Sequence, residues 1–181
     1  MDRKEELHCG PGDGWRKTGK MNMAIRLLAL DVDGTLTDGG VYMDGEGREF
    51  KRFDIRDGMG IVRLRASGVE IAFISGRFSA ATEQRARDLG VSLVFNGVED
   101  KLPVFKKIAG DLGICLHQAA FMGDDVNDAE CLRAAGMGIV PADGTEGAKQ
   151  AADFVTGADA GHGAVREAAE LILSRNEGSA T

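Results

Sequence analysis

No apolar run in the sequence reaches the roughly 20 residues that a membrane-crossing helix needs. The opening stretch "MDRKEELHCGPGDGWRKTGKMNM" also lacks the continuous apolar core of a signal peptide. The expected location is the cytoplasm, with no membrane partner. Cysteine is scarce: Cys9, Cys115 and Cys131 form an odd set without CxxC spacing. That argues against structural zinc and against a disulfide framework, and for three reduced thiols. An excess of positive charge is missing as well. The formal net charge of -7 argues against a nucleic-acid partner, although a few local Arg and Lys residues can still hold a small anion. Low-complexity tracts and internal repeats are absent. What is there, 181 residues of which 43% are hydrophobic and 28% charged, suits one globular domain with a sizeable core.

Residues 1–22 are polar and aperiodic and read as a flexible N-terminal extension, followed by one domain over 23–176 and a C-terminal tail over 177–181. Within the domain, short apolar runs such as "IRLLALDV", "VEIAFIS", "VSLVF", "QAAFMG" and "MGIVP" alternate with helix-period segments such as "SAATEQRARDLG", "LPVFKKIAGDLG" and "GAVREAAELILSR". This pattern predicts an α/β fold: a Rossmann-like three-layer sandwich with a mostly parallel sheet and helices on both faces. One segment breaks the rhythm. "GGVYMDGEGREFKRFDI" has two alternating stretches around "DGEG" and predicts a β-hairpin inserted after the first strand.

Ligands of such a sheet collect outside the carboxyl ends of its strands. There "LLALDVDGTLTDGG", residues 27–40, sets Asp31 and Asp33 two residues apart. Like charges this close resist joint ionisation unless a cation or a shared proton stabilises them. Other strand ends carry Ser75, Gly76 and Arg77, then Lys101, then "GDDVND" with Asp124, Asp125 and Asp128. Carboxylates, a hydroxyl, an ammonium and glycine turns together suit phosphoryl transfer. A hard cation such as Mg²⁺ takes oxygen ligands, which Asp31 and Asp124 can supply. Asp125 and Asp128 can equally be helix N-terminal residues favoured by the helix dipole.

"DVDGT" resembles the nucleophile motif of the haloacid dehalogenase superfamily of phosphohydrolases, and Ser75, Lys101 and "GDDVND" resemble its second, third and fourth motifs in order. The likeness spans about residues 26–175. It implies that Asp31 is the nucleophile and forms an aspartyl-phosphate, and that Asp33 protonates the leaving oxygen and then activates water. It also implies Mg²⁺ on Asp31, Asp124 and the backbone carbonyl of Asp33. Ser75, Gly76 and Lys101 would hold the phosphoryl oxygens, with Asp125 and Asp128 behind the metal ligands.

Neither the interval from Asp33 to Ser75 nor that from Ser75 to Lys101 has room for a cap domain. Hairpin residues 38–54 and a neighbouring subunit are the available covers, which points to a homo-oligomer. "DGGVYMDGEGREFKRFDIRDGMGI", "FISGR", "GVEDKL" and "GAVRE" are similar to the capless sugar-acid phosphatases, above all their octulosonate branch. That resemblance implies a homotetramer acting on a small-molecule sugar-acid phosphate. Arg77 matches the octulosonate branch, whereas nonulosonate phosphatases tend to be acidic there. Arg56 and Arg85 match basic positions near the substrate, with Arg85 reaching a neighbour's site; read as residues alone, both are equally ordinary helix surface charges. His162 stands where the octulosonate enzymes commonly have arginine. A nonulosonate phosphatase, a phosphatase domain like those fused to cytidylyltransferases, and a non-enzymatic binding module on the same scaffold are the competing readings.

Overall fold

Leu27–Leu30 forms the first strand, β1, and all four of its side chains are buried. It can be apolar throughout because helices cover both of its faces. The computed structural model describes residues 23–179, so the expected N-terminal extension and Cys9 lie outside the described residues. After β1 come a hairpin of β2 (Tyr42–Met43) and β3 (Glu49–Phe50), then α1 (Ile55–Ala66), β4 (Glu70–Ser75), α2 (Ala80–Leu89) and β5 (Leu93–Asn96). The second half runs α3 (Lys101–Asp111), β6 (Ala119–Met122), α4 (Ala129–Ala134), β7 (Met137–Val140), α5 (Glu146–Ala151), β8 (Phe154–Val155) and α6 (Ala164–Ser179). Helix α6 thus continues through residues 177–179 of the expected C-terminal tail.

Six strands make one parallel sheet in the order β5-β4-β1-β6-β7-β8. The expected α/β three-layer fold is the one observed. Successive β1 residues face opposite layers, as the strand period of two requires. Leu28 and Leu30 pack with Ile61, Leu64, Ala168 and Ile172 of α1 and α6. Leu27 and Ala29 pack with Phe105, Ile108 and Leu132 of α3 and α4. Phe105 meets Phe121 edge to face at 5.3 Å between ring centres. Close approach of α1 to α6 needs Gly60, because a Cβ there would lie 3.0 Å from the Arg166 Cα.

The chain leaves β1 for β4 on one side and returns to β6 on the other. The carboxyl end of β1 is therefore the switch point at which such sheets bind ligands. The hairpin forms as expected but pairs only Tyr42 with Phe50 and Met43 with Glu49. It exposes Val41, Tyr42, Met43 and Phe50, so little apolar burial within this chain sustains longer strands. Among the described residues no helix is long and apolar enough to cross a membrane. Cys131 is a free, buried thiol.

Candidate active site

The Asp31 N–H donates to the Met122 carbonyl at 2.9 Å, continuing the β1–β6 ladder and aiming Asp31 out of the strand end. The turn that follows is closed by N–H groups of Leu36 and Thr37 on the Val32 carbonyl at 3.0 and 3.1 Å. Gly34 sits in it with φ +88°, and a Cβ there would lie 2.3 Å from the Asp124 Oδ2. Backbone conformation and close approach both demand glycine. Thr35, fully buried, donates its hydroxyl to Asp124 Oδ1 at 3.1 Å and so ties this turn to the end of β6.

Lys101 is the first residue of α3, whose N-terminus is capped by the Asp100 side chain. Its buried Nζ donates to Asp31 Oδ1 at 2.6 Å and to Asp128 Oδ1 at 2.7 Å. Burial opposes the charge, but the two carboxylates outweigh it and push Lys101 up to about 12. Asp128 uses its other oxygen to accept the N–H groups of Asp124 and Asp125 at 3.1 and 3.3 Å, which shapes the loop after β6. Asp125 caps the short 3-10 turn at residues 126–128 by accepting the Val126 N–H. The helix-terminal reading of Asp125 and Asp128 therefore describes their contacts, while Asp128 also touches Lys101.

Oxygens of Asp31, Asp124 and Asp128 all lie within 4.8 Å of one another. Burial raises the Asp31 carboxyl well above its ordinary value, with Lys101 opposing and Asp128 adding to the rise. Asp124 rises to about 6 through burial and the Asp128 charge, against the Thr35 hydrogen bond. Three carboxylates against one ammonium leave this corner short of positive charge, and the donors are all oxygen. These residues fit a hard divalent cation such as Mg²⁺.

An open cleft of about 130 Å³ lies over this corner. Asp31, Asp33, Gly76, Lys101, Asp124 and Asp125 line it, as does Arg77, which the sequence assigns to substrate; Asn127 completes the lining. Ser75 is buried beside it, donating its hydroxyl to the Arg77 carbonyl at 2.8 Å. Arg77 also reaches the hairpin, pairing with Glu49 at 2.6 Å. Arg56 and Arg85 gather elsewhere, around Asp54 at the start of α1. Arg56 donates to both Asp54 oxygens and to the His162 carbonyl, and Arg85 donates to the Asp54 carbonyl while stacking over Phe53 at 5.5 Å. Besides Asn127 in the cleft lining, two groups at the site escape the sequence reading. Thr35 follows the turn glycine, and buried Lys51 leaves the hairpin to bond Asp33. The "GT" of "DVDGT" was the available signal for Thr35; Lys51 carried none.

A haloacid dehalogenase-like hydrolase family model matches residues 94–167. The 3-deoxy-D-manno-octulosonate 8-phosphate phosphatase KdsC of Escherichia coli K12 is 40% identical over 149 residues, 82% of this chain and 79% of its own length. The corresponding phosphatase of Moraxella catarrhalis, solved with magnesium, phosphate and KDO, superposes with a TM-score of 0.84 at 40% identity, covering 90% of this chain and 92% of that one. A cobalt-bound enzyme of the same kind from Haemophilus influenzae gives 0.83 at 35% identity, covering 91% and 94%. With the ordered motifs, the switch-point carboxylates and this likeness over most of its length, the chain belongs to the haloacid dehalogenase-like phosphatases, in the group of the 3-deoxy-D-manno-octulosonate 8-phosphate phosphatases, and is a phosphoric monoester hydrolase.

Proposed function

We propose that this chain hydrolyses 3-deoxy-D-manno-octulosonate (KDO) 8-phosphate to KDO and phosphate, a step in lipopolysaccharide precursor synthesis. The observation that carries the reading is the buried Lys101 held between Asp31 and Asp128, with Asp124 beside them at the switch point. An Asp31 carboxylate oxygen attacks phosphorus and the bond to the sugar oxygen breaks, leaving an aspartyl-phosphate. Asp33 gives its proton to that departing oxygen. It then takes a proton from the water that attacks phosphorus, which frees phosphate and restores the Asp31 carboxylate. Lys101, Gly76 and Ser75 hold the phosphoryl oxygens, Ser75 after its hydroxyl leaves the Arg77 carbonyl. Asp31, Asp124 and the backbone carbonyl of Asp33 would hold Mg²⁺, which would supply positive charge where negative charge builds up during transfer. Asp125 and Asp128 support these ligands from behind.

Arg77, at the cleft and exposed on one side, is suited to the sugar's carboxylate through a forked pair of hydrogen bonds. The exposed apolar hairpin, with Tyr42, Met43 and Phe50 facing solvent, supports a homotetramer in which hairpins pack together and shield the open cleft. In that assembly Arg56 and Arg85 serve substrate binding, Arg85 at a neighbour's site. The single domain over 23–176 works in the cytoplasm and needs neither membrane nor nucleic acid. Phosphate release is measured with Mg²⁺ over a panel containing KDO 8-phosphate and N-acetylneuraminate 9-phosphate, with solution mass measured alongside. Preference for the octulosonate ester by a tetramer is the expected result; preference for the nonulosonate ester would move the chain to the other branch.

A further inference from the structure

Lys51 follows β3, and the strand period of two turns Glu49 and Lys51 to one side of the hairpin while Phe50 points out to solvent. The Lys51 side chain is 2% exposed, and its Nζ donates to Asp33 Oδ1 with Glu49 Oε1 3.6 Å away. A buried ammonium is costly without such partners. Asp33 Oδ2, the other carboxylate oxygen, is also buried and has no hydrogen-bond partner. Glu49 in turn accepts from Arg77 at 2.6 Å, so the grip on Asp33 is anchored at the loop after β4.

We propose that Lys51 is a positioning residue for Asp33: by holding Oδ1 it fixes the orientation of the carboxyl group that hands a proton to the leaving alcohol and takes one from water. This rests on the phosphatase reading of the site. It gives the hairpin a task inside its own subunit besides covering the cleft. A merely structural Lys51 would hold the hairpin down and affect all substrates alike. A positioning Lys51 matters most where the leaving oxygen needs its proton.

The test compares kcat/KM for a primary-alcohol ester with that for p-nitrophenyl phosphate, whose leaving group departs as a stable anion. The ester is KDO 8-phosphate, or ribose 5-phosphate should the octulosonate assignment fail, so the comparison stands apart from the sugar. Lys51→Met should lower kcat/KM about 100-fold for the alkyl ester and less than about tenfold for p-nitrophenyl phosphate, the scale of general-acid effects. Equal losses, or none, would overturn the proposal. Lys51→Gln repeats the comparison with the same expectation should the Met variant fail to fold. In an Asp33→Asn background, Lys51→Met should remove nothing further from p-nitrophenyl phosphate turnover; a second, additive loss would equally overturn it.

Discussion

Lys101 and Asp31 face each other at 2.6 Å with both side chains buried, joining the first residue of α3 to the end of β1. The pair is both a support and, on the proposed mechanism, a reactive arrangement, since the same ammonium stands beside the proposed nucleophile. Removing one partner of a buried ion pair leaves the other uncompensated, typically at about 3–5 kcal/mol. Lys101→Met should therefore lower both stability and turnover. Urea unfolding and kcat, measured on the same preparation, check this; a variant as stable as the parent would show that the pair carries no such weight.

Asp124 tests the metal without relying on catalysis. In EDTA, Asp124→Asn relieves crowding among three carboxylates and is expected to melt no lower than the parent. Added Mg²⁺ should stabilise the parent by about 2.7 kcal/mol at a hundredfold excess over its dissociation constant, and the variant far less. Gly34→Ala should behave like Asp124→Asn toward Mg²⁺ but also cost about 1–3 kcal/mol, because φ is +88° and the new methyl would strike Asp124. Thermal unfolding with and without Mg²⁺ reads both.

Asp54 gives a pH dependence away from the cleft. It caps α1 by accepting the Arg56 N–H at 2.7 Å, and its hydrogen bonds to the Arg56 guanidinium lower it from 3.8 to about 2 against the effect of burial. A carboxyl depressed on folding contributes stability that is complete above its unfolded value and lost as pH falls through the folded one. The window is thus roughly pH 4 to 2. Asp54→Ala should cost about 1 kcal/mol at neutral pH through the lost cap and flatten the acid limb of stability across that window. Denaturant titrations at stepped pH measure it, and an unchanged acid limb would contradict the pairing.

The parts legible in the sequence are those in which local pattern and tertiary role coincide. "LLALDVDGT" reads directly because a doubly covered strand must be apolar and its end must turn, which places Asp31 and Asp33 before any contact is known. Lys101 and Asp124 read by order along the chain, since each follows a strand on one side or the other of β1. Lys51 does not read, because its meeting with Asp33 depends on how a short, exposed hairpin folds back over the cleft. Asp57 hides for the same reason: it looks like a first-turn acid of α1, yet its buried carboxylate accepts the N–H groups of Gly163 and Arg166 and caps α6 from another helix. Arg56 and Arg85 show charge but not address; Asp54 decides where they sit in this subunit.

The central claim is that Asp31 takes the phosphoryl group onto its own carboxylate, and chemical trapping reads it most directly. Enzyme quenched during turnover of KDO 8-phosphate or p-nitrophenyl phosphate with Mg²⁺ is treated with borohydride, which reduces an acyl phosphate to an alcohol, and the peptide containing residue 31 is analysed by mass spectrometry. The account predicts conversion of Asp31 to homoserine in that peptide, with Asp33 untouched and with no conversion when substrate is omitted. Continued turnover with Asp31 unmodified, or modification at Asp33 instead, would contradict it.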